Sequence, residues 1–148
     1  MKQLALICLA SSLLVGCSCP AIDWQQDQQA QFADTVVTMK SSMWMDMMPS
    51  VGVEQETILH GSVLLESEQA LDPSTRVDSI SLQQSDQEWL VEGDALELRT
   101  HSPTQWEVVF EWQVPVDPER PIDVAVQLND QQQSTWLVNK QVSIDKVY

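Results

Sequence analysis

The sequence is poor in positive charge. It has seven lysines and arginines against 22 aspartates and glutamates, which gives a formal net charge of −15 at pH 7. A field of this sign repels nucleic-acid phosphates and favours cationic partners, so nucleic acid is excluded as a ligand. The acidic residues are scattered along the chain, a pattern typical of the solvated surface of a folded domain.

Catalytic motifs are also absent. The chain contains no Gly-x-Ser-x-Gly elbow, no HExxH, no Walker glycine loop, no CxxC and no dinucleotide fingerprint. The two histidines, His60 and His101, have no motif around them, so they do not suggest a nucleophile and base pair. The sequence therefore predicts a protein that is not an enzyme and has no cofactor.

No hydrophobic run is long enough to predict a transmembrane helix, which needs about 20 residues. The longest run lies in the first 16 residues, where the single cation Lys2 precedes an apolar stretch from Leu4 to Val15. A short apolar run after a positive charge is typical of a signal peptide, so we expect residues 1–16 to be cleaved.

The segment Leu14-Val15-Gly16-Cys17 resembles the lipobox of bacterial lipoproteins. In that motif a branched apolar residue, a small or β-branched residue and a small residue precede an obligatory cysteine. The resemblance implies that Cys17 becomes the first residue, with diacylglycerol on its sulfur and a fatty acid such as palmitate on its amine. Two or three acyl chains anchor a protein stably, whereas one does not. The alternative is an ordinary secretory signal in which the cysteine occurs by chance.

The residue after the lipidated cysteine biases sorting between membranes in Gram-negative bacteria. An aspartate there favours retention in the inner membrane, and this chain has Ser18. The resemblance thus implies a protein on the periplasmic face of the outer membrane, with the inner membrane as the alternative.

Few cysteines remain for disulfides. Cleavage removes Cys8 and lipidation uses Cys17, which leaves Cys19 as the one free thiol. No disulfide can then form within the chain, so the hydrophobic core has to stabilise the fold alone.

The rest of the chain divides into two parts. Residues 17–33 are rich in glutamine and predict a flexible tether, whereas residues 34–148 predict a β-domain. The predicted strands are Thr35–Met39, Ile58–Glu66, Val77–Gln83, Trp89–Val91, Leu96–Thr100, Trp106–Val114, Ile122–Leu128 and Trp136–Val147. Many short strands separated by turn residues favour an all-β antiparallel sandwich of about seven to eight strands.

The size, the strand number and a final hairpin around residues 129–133 resemble an immunoglobulin-like or fibronectin-III-like sandwich. The chain departs from these families because it has no cysteine pair for an inter-sheet disulfide. Its only tyrosine, Tyr148, is too late for a tyrosine corner. The resemblance concerns architecture and implies no function.

Methionines are concentrated between residues 39 and 48, which hold five of the six in the chain. Thioethers are soft ligands that select Cu(I), and imidazoles can complete such a site. The candidate metal ligands are Met43, Met45, Met47, Met48, His60 and His101. The alternative interpretations are packing against an aromatic residue such as Trp44, or an apolar surface that binds a protein.

Together these features predict a lipid-anchored, extracytoplasmic binding or assembly module. The expected partners are the bilayer, through Cys17, and another envelope protein that docks on a sheet edge or on the methionine-rich segment. Two alternatives are a copper-handling lipoprotein and a carbohydrate-binding module that uses exposed members of its six tryptophans.

Overall fold

The computed structural model describes residues 22–49, 51–52 and 58–148, which form ten strands and one short 3₁₀ helix. The predicted signal peptide, the lipobox-like segment Leu14-Val15-Gly16-Cys17 and the predicted lipidation site lie outside the described residues. The strands are β1 (Gln29–Phe32), β2 (Thr35–Asp46), β3 (Ile58–Ser67), β4 (Arg76–Gln84), β5 (Gln87–Glu92), β6 (Leu96–Ser102), β7 (Gln105–Gln113), β8 (Ile122–Asn129), β9 (Ser134–Val142) and β10 (Ile144–Val147). The 3₁₀ helix spans Gly93–Ala95, between β5 and β6.

The strands form two sheets. Sheet I has the order β1-β2-β3-β7-β6, with β10 also paired to β2, and sheet II has the order β5-β4-β8-β9. All pairs are antiparallel except β10 with β2, which is parallel. The order β2-β3-β7-β6 opposite β5-β4-β8-β9 is the Greek-key order of immunoglobulin sandwiches. The predicted all-β sandwich is confirmed, with two short strands in addition to the eight expected.

The core lies between the sheets because alternate residues of each strand point inward. In β8, for example, Val124, Val126 and Leu128 are fully buried. The largest fully buried side chains are Phe32, Met39, Met43, Met45, Leu59, Leu65, Ile80, Leu82, Phe110, Ile122, Leu128 and Leu137. Burial of apolar surface is the main stabilising contribution to such a fold.

Strand β2 is longer than its sequence predicts. The prediction ended at Met39 because the next three residues are polar, yet the strand continues to Asp46. It pairs with β3 along nearly its whole length, from Val37 opposite Ser67 to Met45 opposite Leu59. Continuous pairing with a neighbour therefore outweighs the local loss of apolar character.

The end of the glutamine-rich segment also belongs to the sheet. Residues 29–32 form β1, and Phe32 lies in the core with 1% of its surface exposed. Two backbone carbonyls just before β1 also accept hydrogen bonds. The carbonyl of Asp27 accepts the N–H of Val138, and the carbonyl of Gln28 accepts the N–H of Met39. The folded part thus begins before the boundary predicted at residue 34, because pairing with β2 orders a stretch that has little apolar surface of its own.

The last predicted strand is divided between the two sheets. A bulge at Gln141, whose φ is +58°, ends the regular pairing of β9 with β8. The carboxylate of Asp123 accepts the N–H of Gln141 at 2.9 Å, which holds the bulge in place. Beyond it Ile144 pairs with Met43, so the chain crosses from sheet II to sheet I. Within the described ranges, no helix has the length and apolar character needed to cross a membrane.

Candidate interaction surface

Most methionines of the Met39–Met48 segment are core residues. Met39, Met43 and Met45 point inward from β2 and are at most 1% exposed. Met47 is partly buried against the core, and Met48 is about half exposed at 51%. Packing thus accounts for the spacing of Met39, Met43 and Met45, since residues two apart on a strand share a face.

Gly61 makes close packing around Met43 possible. A Cβ atom at Gly61 would lie 2.3 Å from two ring carbons of Phe110 and 2.8 Å from the Sδ of Met43. Only a residue without a side chain fits between these two groups. Met43 is therefore part of a tight core contact that joins β2, β3 and β7.

The two histidines lie apart from the buried methionines. His60 pairs with Trp44, and both side chains point to the outer face of sheet I, opposite to the face that carries Met43 and Met45. His101 lies on the edge strand β6, beside Glu107. The structure thus does not bring the six predicted metal ligands together. Within the described part of the chain, no group of three or more His, Cys, Asp or Glu side chains is placed to hold a metal ion.

A row of side chains crosses the outer face of sheet I. The rings of Trp44 and His60 stack with their centroids 3.8 Å apart and their planes 5° from parallel. The Nδ1 atom of His60 lies 3.4 Å from the Oε1 atom of Glu111 on the next strand. On the other side of Trp44, β10 places Asp145 directly opposite. The row therefore runs across four strands, from one carboxylate through two stacked rings to another carboxylate.

Exposed apolar side chains surround this row. On the outer face, Trp44 is 38%, Ile58 36% and Val147 43% exposed. Val147 pairs with Asp46, so it lies one row beyond Asp145 and Trp44. We define the Trp44 patch as these three apolar residues and the carboxylates of Asp46, Glu111 and Asp145. Trp112 and Tyr148, both exposed, lie at the same end of the sheet.

A second histidine and glutamate pair lies farther along the same outer face. The Nε2 atom of His101 is 2.9 Å from the Oε2 atom of Glu107. This hydrogen bond is the main reason that the pKa of Glu107 is lowered. Burial opposes the shift, and the Ser62 hydroxyl and the charges of His101 and Arg99 add smaller contributions that lower the pKa. The hydrogen bond orients both side chains, and Glu107 also has Ser62 and Arg99 as polar neighbours.

A cleft of about 200 Å³ lies at the opposite end of sheet I, between the β1–β2 turn and the β3–β4 connection. Asp34 and Asp72 line it. The Oδ1 atom of Asp72 accepts the backbone N–H of Ser74 at 2.8 Å, which lowers the pKa of that carboxyl. This carboxylate therefore serves the turn in which it lies, as expected for Asp before Pro.

The Trp44 patch was not predicted from the sequence as a unit. Trp44 was considered only as a packing partner for methionine, and His60 only as a metal ligand. No signal in the sequence pairs Trp44 with Asp145, because residues 101 positions apart meet only through the parallel pairing of β10 with β2. Among the tryptophans, Trp106 is buried in the core, whereas Trp44 and Trp112 are exposed.

Comparison with protein-family models, with curated proteins and with solved structures found no match to this chain.

Proposed function

We propose that this protein is a membrane-anchored extracytoplasmic lipoprotein that acts as a non-catalytic binding or assembly module for an envelope partner. The observation that carries the proposal is the segment Leu14-Val15-Gly16-Cys17, placed directly after a charged and then apolar N-terminus. An acylated cysteine at this position would tether the sandwich to a bilayer.

The surface of the sandwich supports a binding role. Large exposed apolar side chains concentrate at one end of sheet I, where Trp44, Ile58 and Val147 share the outer face. Clustered exposed apolar surface, rimmed by polar groups, is typical of interaction sites, whereas single exposed apolar residues are common everywhere.

Replacement of the lipidated cysteine tests the anchor. We expect Cys17→Ser to lose acyl labelling and to leave the membrane fraction, because serine has no thiol to accept the diacylglyceryl group. The matched control is Cys19→Ser, which removes a neighbouring thiol and should leave labelling and fractionation unchanged. Membrane association of Cys17→Ser equal to that of the unaltered chain would contradict the anchor.

Co-purification tests the binding role. The full chain, tagged at its C-terminus, is purified from detergent-solubilised membranes beside a control in which residues 1–22 anchor an unrelated soluble domain. We expect the full chain to recover a defined envelope protein in constant ratio to itself, and the control to recover none of it. Recovery of the bait alone would contradict the proposal.

A further inference from the structure

We infer that the Trp44 patch docks a segment of a protein partner that presents an arginine or lysine side chain flanked by apolar residues. The inference rests on the proposed function and deepens it, because it names the surface of the binding module and the chemistry of its partner.

The first argument is the exposure of apolar surface in one place. Trp44, Ile58 and Val147 lie on the same face of sheet I, on three strands joined by continuous pairing. Each leaves more than a third of its surface in water, although β2 and β3 bury their alternate residues almost completely. Docking of an apolar segment would remove this surface from water, which favours association.

The second argument is the geometry of the stacked rings. Because Trp44 and His60 stack across neighbouring strands, their ring faces point along the sheet and their edges point outward. His60 covers one face of the indole, so the other face points towards β10, where Asp145 lies opposite at a strand spacing of about 4.8 Å. An aromatic face beside a carboxylate suits a cation, and a guanidinium best of all, because it stacks on the ring and pairs with the acid.

The third argument is uncompensated charge. Among the described residues, neither Asp46 nor Asp145 forms an ion pair with a lysine or arginine, and the ion-pair partner of Glu111 is His60. The patch is thus negative, in a protein with a net charge of −15. Complementary charge speeds encounter and selects among partners, so a basic segment is favoured over a neutral or acidic one.

The same observations disfavour other occupants. A second copy of this chain would bring the carboxylates of two patches against each other, and an anionic lipid surface would meet the same repulsion.

The test measures binding of a defined probe to the full lipidated chain in detergent micelles. The probe is a fluorescein-labelled hexapeptide of alternating arginine and leucine, and the readout is fluorescence anisotropy at fixed ionic strength. The variants are Trp44→Ala and Asp145→Asn. The matched controls are Leu90→Ala and Glu92→Gln on edge strand β5, which remove an exposed apolar side chain and one negative charge outside the patch.

We expect each patch variant to weaken probe binding about tenfold, the size of a lost cation–π contact or interfacial charge pair. The controls should change binding less than about twofold, as for an isolated surface charge. Circular dichroism should show that all four variants stay folded, because the altered side chains are exposed.

Three outcomes would overturn the inference. One is equal loss in the patch and control variants, which would mean that the probe responds only to net charge. The second is equal binding of a peptide with glutamine in place of arginine. The third is a Trp44→Ala variant that binds the peptide as well as the unaltered chain does, but no longer self-associates or no longer binds phosphatidylcholine vesicles.

The failure of this inference can be distinguished from that of the proposed function. If Trp44→Ala and Asp145→Asn recover the same envelope protein as the unaltered chain in the co-purification, the patch is not the docking surface and the binding module stands. If the unaltered chain recovers no partner, the binding module fails, whatever the peptide shows.

Discussion

Strands β2, β3 and β7 have a close-packed inner face and an exposed outer face, and neighbouring residues of each strand belong to different faces. Met43, Gly61 and Phe110 meet on the inner face with no room for one further methyl group. The residues next to these three point to the outer face, where Trp44 of β2 is exposed and stacks on His60 of β3, beside Glu111 of β7. The comparison shows that the methionines are explained by packing, whereas the exposed aromatic stack is not.

The strongest test of this contrast removes the ring that fills the inner face. Phe110→Ala should lower the free energy of unfolding by about 3–5 kcal/mol, because it leaves a cavity beneath sheet I. Urea denaturation followed by circular dichroism measures the change. A loss below about 1 kcal/mol, the size expected at an ordinary surface site, would show that the inner face is not close-packed.

Addition of a single methyl group tests the same contact from the opposite direction. Gly61→Ala should destabilise the protein by about 1–3 kcal/mol, because the new Cβ atom overlaps Phe110 and Met43. In a Phe110→Leu background the smaller side chain makes space, so the cost of Gly61→Ala should fall. Strict additivity of the two substitutions in urea denaturation would contradict direct contact.

The outer face should respond less. Trp44→Ala should cost less than Phe110→Ala, because Trp44 is 38% exposed and Phe110 only 2%, so less apolar surface is lost from the folded protein. His60→Ala removes the same stack and is the matched comparison. If Trp44→Ala destabilised the protein as much as Phe110→Ala, the main role of the stack would be to stabilise the fold, and the exposure of Trp44 would no longer support a docking surface.

The smallest expected effect concerns Glu107. The hydrogen bond from His101 lowers the pKa of Glu107, so its contribution to stability is present above the ordinary carboxyl range and is lost as the pH falls through the lowered pKa. The melting temperature of Glu107→Gln should therefore lie below that of the unaltered protein at neutral pH, and the two should converge in acid. The exposed Glu88→Gln serves as the control, and a constant difference across the pH range would contradict the coupling.

Alternation and turn residues were enough to predict most strands and the sandwich. Val124, Val126 and Leu128 occupy alternate positions of the predicted strand and are buried on one face of β8. The final hairpin turns between Asn129 and Ser134, as predicted. The prediction missed β1, a short strand in which glutamines alternate with Ala30 and Phe32, and ended β2 early, where Lys40, Ser41 and Ser42 interrupt the apolar pattern. Both are held by pairing with the next strand along the chain, β1 with β2 and β2 with β3.

The candidate surface was predictable only in part. The methionine-rich segment and both histidines were identified as unusual, yet their side chains divide between the core and the outer face. Because side chains alternate along a strand, neighbours in sequence such as Met43 and Trp44 end on opposite sides of the sheet.

Composition and local pattern, then, decide the acidic character of this protein, its β class and the resemblance of its N-terminus to a lipoprotein signal, because each is a property of single residues or short segments. The tertiary structure alone decides that Asp145 lies beside Trp44 and that Gly61 admits Phe110. These contacts depend on the register between strands distant in the chain, which no local preference specifies.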